Sequence, residues 1–440
     1  MLNQSHLTVE SVPVERTLAT SHSTDAIPAA SQTPQPEGAQ FIPQLENAPT
    51  TTSLQANNQL GKIVWQNASR KTKIIATLSP ATDCSDVLRS LVEAGVSVFR
   101  INLACTTRES ALKAVFGIRT ISAELQRPVS ILLDTQCTPV PNAASPDISE
   151  NDWADIRFGL ECGVDWLAIS AGHEGGAVRQ LREFLVEQNR GYLGILARIH
   201  DPAPLATLSQ IIQDADGIIL NSSHLADEYS DGKVSSIWPL VWQQVVQKCV
   251  SARKLAVIAT ETTADMASIL FSKPDALMLG KEFNTGSSPL QNVRKLDALI
   301  RQIESEDGRE APTTVGLSTE QDQAVADAVQ QAGEAPAEAI TVLTRTRNSA
   351  ALCAALRPRQ SRVFVFTPDA RLARSLRLRY ALETFVLPLS GKPNTNRIAA
   401  EKILQERKLL APGAKVICVT DLLDSLAGTT DLRKKHENKQ

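Results

Sequence analysis

The chain predicts a closed (β/α)8 barrel followed by a smaller α/β domain with a mostly parallel sheet. Eight short, nearly continuous apolar runs alternate with helix-length amphipathic segments between Lys73 and Gly280. No GxGxxG follows the first run, which weighs against a doubly wound open sheet. After Glu306 and the polar connection Asp307–Thr314, a second series of apolar runs and helical segments begins.

The eight runs are Lys73–Leu78, Val96–Asn102, Val129–Thr135, Trp166–Ser170, Gly194–Ile199, Gly217–Leu220, Ala256–Thr260 and Ala276–Gly280. Continuous rather than alternating apolarity is the mark of parallel strands buried on both faces. Helical segments such as Ser85–Ala94, Arg108–Leu125, Glu150–Cys162 and Ala177–Glu187 lie between them. Eight strand–helix units are the number that closes a barrel. The second series predicts helices at Glu320–Gln331, Ser349–Leu356, Ala370–Tyr380 and Asn396–Arg407. Its strands are expected at Ala339–Leu343, Arg362–Phe366, Thr384–Leu387 and Ala414–Val419. The expected domains are a disordered tail over 1–65, the barrel over 66–306, the C-terminal domain over 315–425 and a basic tail over 426–440. The first tail is rich in Ser, Thr, Ala, Gln and Pro and buries too little apolar surface to offset its ordering entropy.

Of the 440 residues 42% are hydrophobic, enough to build a sizeable core, and the formal net charge is −3. That balance supplies no bulk attraction to nucleic acid or to an acidic membrane. No apolar run is long enough to span a bilayer. Seven cysteines without a CxxC pair fit free thiols in a reducing compartment. The N-terminus lacks the basic-then-apolar pattern of a secretory signal, and its acids Glu10, Glu15 and Asp25 argue against a mitochondrial leader. The expected location is the cytoplasm.

Several motifs are more specific. They are Lys71-Thr-Lys-Ile-Ile-Ala-Thr-Leu-Ser-Pro80, Glu93-Ala-Gly-Val-Ser-Val-Phe-Arg-Ile-Asn102, Arg127-Pro-Val-Ser-Ile-Leu-Leu-Asp-Thr135, Asp214-Ala-Asp-Gly-Ile-Ile219 and Leu410-Ala-Pro-Gly413. In sequence and in order they resemble pyruvate kinase, from about Lys71 to about Val419. The resemblance implies a TIM barrel, an inserted β-barrel lid domain, and a C-terminal α/β domain that often binds a sugar-phosphate effector. It also implies Mg2+ and K+ as cofactors and a homotetrameric assembly. Phosphoryl transfer depends on positioning and charge stabilisation, so such a site needs its cations, its carboxylates and a lid that excludes water.

By that resemblance, Arg100, Asn102 and Glu282 stand at substrate-binding positions. Asp134 and Thr135 match potassium ligands, and Thr260 matches a threonine beside the proton-transfer site. Other positions depart. Ala104 and Cys105 stand where the family has Ser and His. Arg198-Ile-His200 replaces Lys-Ile-Glu, and Leu220-Asn-Ser-Ser223 replaces Ala-Arg-Gly-Asp. Arginine keeps the charge of the catalytic lysine but not its compactness. Both magnesium carboxylates are gone, so the magnesium site is expected lost and the potassium site weakened. The lid is expected to be replaced by a loop at 137–147, and the segment after Thr260 to be shortened.

His173, His200 and His224 follow the fourth, fifth and sixth strands, whose ends share one mouth. They are either a repurposed metal site, suiting zinc, with Glu261 as a carboxylate neighbour, or three unrelated surface histidines. Cys105 is expected to lie too far across the mouth to join them. Thr344, Thr346 and Ser349 match the family's effector-phosphate loop. Arg347 replaces a glycine there, either adding charge or blocking the pocket. The reading that follows is a pseudoenzyme linked to glycolysis, binding a small phosphorylated metabolite. It is expected to form homo-oligomers or hetero-oligomers with an active relative. The alternatives are residual phosphotransfer and a new metal-dependent activity.

Overall fold

The structure is a computed structural model that describes residues 70–79, 84–136, 148–171, 175–199, 207–221, 238–260, 266–280, 289–306, 315–334 and 337–420. Both tails, the loop 137–147, His173, His200, His224, Glu261 and Glu282 lie outside the described residues.

Eight parallel strands close into a barrel in sequence order: β1 (Lys73–Thr77), β2 (Val98–Asn102), β3 (Ser130–Asp134), β4 (Trp166–Ser170), β5 (Gly194–Ile199), β6 (Gly217–Asn221), β7 (Leu255–Thr260) and β8 (Ala276–Leu279). Closure is β8 on β1, with Ile74 opposite Leu277. The helices between them are α1 (Ser85–Glu93), α2 (Arg108–Glu124), α3 (Glu150–Cys162), α4 (Gly176–Glu187), α5 (Leu208–Asp214), α6 (Trp238–Ser251) and α7 (Met266–Phe271), and α8 (Pro289–Glu306) follows β8. Local chemistry sets several ends. Thr107 and Ser149 cap α2 and α3 by accepting the amides of Ser110 and Asp152. Gly163 ends α3 in the left-handed region, at φ 65°.

Strand alternation sorts the core into two shells. Ile75, Val98, Leu132, Trp166, Leu196, Ile219 and Val257 fill the barrel, while Ile74, Phe99, Ile131, Leu167, Ile195 and Ile218 meet the helices. Trp166 fills the barrel's foot, and Gly194 makes room for it: a Cβ there would lie 2.1 Å from the indole. Between β3 and α3 the chain runs only from Thr135 to Ser149, far too short for an inserted lid domain with a core of its own.

The C-terminal domain comprises α9 (Glu320–Glu334), β9 (Ala339–Leu343), α10 (Asn348–Ala355), β10 (Arg362–Thr367), α11 (Ala370–Leu376), β11 (Leu382–Val386), α12 (Pro393–Glu406) and β12 (Val416–Thr420). Its strands, in the order β11-β10-β9-β12, all pair in parallel. The expected helix Ala370–Tyr380 stops at Leu376, because the following residues are drawn onto the barrel. Tyr380 donates its amide to Asp275 Oδ1 at 2.9 Å, and Leu378 joins the barrel's interior cluster.

A repeated device holds the two domains together. Asp165, Asp216 and Asp275 each precede an even-numbered strand, at the barrel's foot. Each gives one oxygen to the amide of the preceding odd strand: Ile131 (2.9 Å), Ile195 (2.9 Å) and Ala256 (3.0 Å). The other oxygen meets an arginine of the C-terminal domain: Arg374 at 2.8 Å, Arg347 at 3.4 Å and Arg357 at 3.1 Å.

Candidate functional site

The C-terminal ends of barrel strands form a mouth where function sits in this architecture. Strand alternation continues the interior rows of β1, β2, β3 and β5 into polar residues there: Ile75 to Thr77, Val98 to Arg100, Leu132 to Asp134 and Leu196 to Arg198. Three of these residues converge. The fully buried Asp134 accepts from Arg100 Nε at 2.7 Å, with Arg100 Nη2 2.5 Å from the same Oδ2. Its other oxygen lies 2.7 Å from Arg198 Nη1, a close ion contact rather than an aligned hydrogen bond. Arg198 Nη2 also reaches the carbonyl of Thr135 at 3.4 Å. Two guanidiniums therefore share one carboxylate, and this trio carries a net positive charge.

Around this trio, Arg100 Nη1 donates to Thr77 Oγ1 at 3.3 Å, and Thr77 in turn donates to the Leu279 carbonyl. Thr77 escapes a reading of the sequence motifs alone. Its signal is a hydroxyl at the end of β1, on the parity that faces the interior. Asn102 Oδ1 accepts the Ala104 amide at 3.1 Å, and its Nδ2 faces Cys105 Sγ at 3.9 Å. Thr260 is buried at the end of β7, but its neighbour Ala259, not Thr260, lies in the interior row with Leu255 and Val257.

In the C-terminal domain, Thr344 and Ser349 are buried and Thr346 is exposed. Thr344 Oγ1 donates to the Thr346 carbonyl at 2.8 Å and accepts its amide at 3.0 Å. Ser349 Oγ accepts from Gln321 at 3.3 Å. Arg347, which replaces the family's glycine, turns its side chain toward the barrel. It reaches down to the barrel's foot, donating to the Tyr192 carbonyl at 2.9 Å with its guanidinium 5.9 Å from the Trp166 ring.

Among the described residues, no group of three or more His, Cys, Asp or Glu is placed to hold a metal. The three candidate histidines lie outside those residues. No helix among them is long and apolar enough to cross a membrane.

Comparison with known proteins agrees with this architecture. The family model described as pyruvate kinase, barrel domain, matches residues 69–143 and 138–293. The model described as pyruvate kinase, alpha/beta domain, matches residues 322–434. The two barrel matches meet within the β3–α3 connection, where an inserted lid would otherwise sit. The chain is similar to the pyruvate kinase of Methylorubrum extorquens, 22% identical over 83% of this chain and 96% of that one. It is similar to pyruvate kinase 2 of Synechocystis sp., 23% identical over 83% and 79%. It is also similar to pyruvate kinase isozyme A, chloroplastic, of Ricinus communis, 26% identical over 65% of this chain and 52% of that one. With both of its domains matched in order, the chain belongs to the pyruvate kinase family.

Proposed function

We propose that this chain is a pyruvate kinase-like pseudoenzyme whose barrel mouth binds a small anionic, phosphorylated metabolite without transferring its phosphoryl group. The observation that carries the reading is the Arg100–Asp134–Arg198 cluster. The carboxylate that matches a potassium ligand is taken up by two guanidiniums. Asn102 Oδ1 already accepts a backbone amide, and the Thr135 carbonyl already faces Arg198. These residues do not fit a bound potassium ion, which needs several oxygens turned toward one point. At the magnesium positions the sequence offers His200 and Ser223 in place of carboxylates, a poor donor set for a hard cation.

What the mouth retains suits an anion. Paired arginines present planar donor forks that match phosphate and carboxylate oxygens. Asp134 holds both in place without cancelling both charges. The effector loop at Thr344, Thr346 and Ser349 is a weaker place for phosphate, because the Thr344 hydroxyl is bound within the loop itself. A cytoplasmic role linked to glycolysis, in homo-oligomers or with an active relative, fits this reading.

The test is an assay of purified full-length chain with phosphoenolpyruvate, ADP, magnesium and potassium, alongside calorimetric titration of phosphoenolpyruvate alone. The expected result is binding with pyruvate formation at background. Turnover in the ordinary enzyme range of about 1–10³ s⁻¹ would overturn the reading in favour of retained phosphotransfer.

A further inference from the structure

Between the foot of the barrel and the C-terminal sheet lies a cleft of about 340 Å³, at the opposite end of the barrel from the mouth. It opens at the N-terminal ends of β1, β2 and β3 and faces β11. Among the described residues, seven cationic side chains and one carboxylate, Glu383, line it.

Most of these cations have partners. Arg70 and Arg301 share Asp297 at 2.5 and 2.7 Å, and Arg362 meets Glu383 at 3.2 Å. Arg127 donates to the Val92 carbonyl at 3.0 Å and Arg407 to that of Gln126 at 3.1 Å. Lys73 and Arg377 differ. They are 3% and 5% exposed, and among the described residues neither side chain has a hydrogen bond or an ion pair. The Arg377 Nε–H is itself buried without an acceptor. Burying a charge without a counter-charge is among the most costly arrangements a fold can adopt. Here two buried cations line one cleft, and Glu383, the carboxylate that acts on both, is itself paired with Arg362. Burial first, then the neighbouring cations, pulls the proton affinity of both groups down.

We propose that this cleft is a binding site for a small metabolite carrying two or more phosphate groups, held by Lys73 and Arg377 and bridging the barrel and the C-terminal domain. Each phosphate ester brings roughly −1.5 to −2 charge at pH 7. Two of them match a surplus that Glu383 and Asp297 leave uncovered. The volume is in the range of ordinary small-molecule sites. A zwitterion suits the cleft poorly, because its ammonium would find the lone carboxylate, Glu383, already held by Arg362.

The experiment is calorimetric titration of the full chain with inorganic pyrophosphate at fixed ionic strength, with citrate as a second arm. Saturable pyrophosphate binding is expected, at least as tight as citrate. Arg377→Gln and Lys73→Met should each weaken it tenfold or more. Arg100→Gln, at the mouth, should leave a saturable site intact, which separates this cleft from the mouth. Without ligand, Lys73→Met and Arg377→Gln should melt at or above the parent temperature, since each removes a buried charge that makes no ion pair among the described residues. Four outcomes overturn the proposal: no saturable pyrophosphate binding; binding lost in Arg100→Gln but spared in Arg377→Gln; binding of citrate alone; or a lower unliganded melting temperature in both cleft variants.

Discussion

Arg198 closes on Asp134 from across the barrel mouth, its Nη1 2.7 Å from the carboxylate oxygen, although β4 separates their strands. The contact spans the barrel interior rather than the sheet. It is made possible because both residues lie on the inward parity of their strands. Asp134 is fully buried and the Arg198 side chain is 8% exposed, so neither partner has water to fall back on.

The first prediction concerns that carboxylate. Asp134→Ala leaves two nearly buried guanidiniums facing each other, and breaking a buried pair of this kind costs about 3–5 kcal/mol. Urea denaturation should show a loss of that order. The double variant Asp134→Ala/Arg198→Met removes one of the stranded charges and should recover part of it. A double variant no more stable than the single one would show that the pairing of Asp134 with Arg198 is not what stabilises the mouth.

The second prediction concerns the barrel's foot. Any Cβ at position 194 would stand 2.1 Å from the Trp166 indole, which is 1% exposed. Gly194→Ala must displace the ring or the strand, an overpacking that costs typically ~1–3 kcal/mol. The change should appear both in the denaturation midpoint and in tryptophan fluorescence. Unchanged stability would mean that the indole has room the structure does not show.

How much of this was legible in the sequence follows from the range of the interactions. Buried parallel strands announce themselves as unbroken apolar runs, so all eight barrel strands and the four that follow were readable. Arg198 and Asp134 were each identifiable by resemblance, but their pairing depends on strand parity and on the width of the barrel interior. The latch aspartates carried a readable signal, since Asp165, Asp216 and Asp275 each stand just ahead of an even strand. So did Arg371, Arg374, Arg377 and Arg379, four arginines crowded into one short stretch of the second domain. Read as a single long helix, that stretch hides its purpose. Arg374 and Tyr380 are fixed by Asp165 and Asp275, residues of the other domain. The cleft itself draws on residues from Arg70 to Arg407, and no local pattern gathers them.

The third prediction concerns acid. Burial alone raises the Asp275 carboxyl, but Arg357 and the amides of Tyr380 and Ala256 outweigh it and hold the group below the usual carboxylate range. Asp216 is held down in the same way, against burial, by Arg182 and Arg347. A depressed folded-state pKa contributes stability that is present above the unfolded value of about 3.9 and is lost as pH falls through the folded one. The latch should therefore be intact at pH 6 and weaken progressively below about pH 4. Arg357→Ala removes one of the three latch arginines and should loosen the domains even at neutral pH. Limited proteolysis of the linker between α8 and α9, followed across pH in parent and variant, checks both statements.

The last prediction concerns alkali, where Lys73 and the buried thiols act in opposite directions. Burial, then Arg377 and Arg70, set the Lys73 ammonium well below its usual range, against the opposing pull of Glu383 and Glu304. The unfolded chain then binds more protons than the folded one between the folded pKa and about 10.4, so this group makes stability rise with pH through that window. Cys249 and Cys353 do the reverse. Burial pushes their thiols up, that of Cys353 to about 12, so the folded chain holds protons that the unfolded chain loses above about 8.5. The net slope of the parent mixes both signs, but Lys73→Met removes only one of them. Urea midpoints measured from pH 7.5 to 10 should show the variant's advantage over the parent shrinking as pH rises. Saturating pyrophosphate should flatten that convergence, because a bound anion favours the charged lysine. A parent and variant that run parallel across the whole range would show that Lys73 titrates as an ordinary solvated amine.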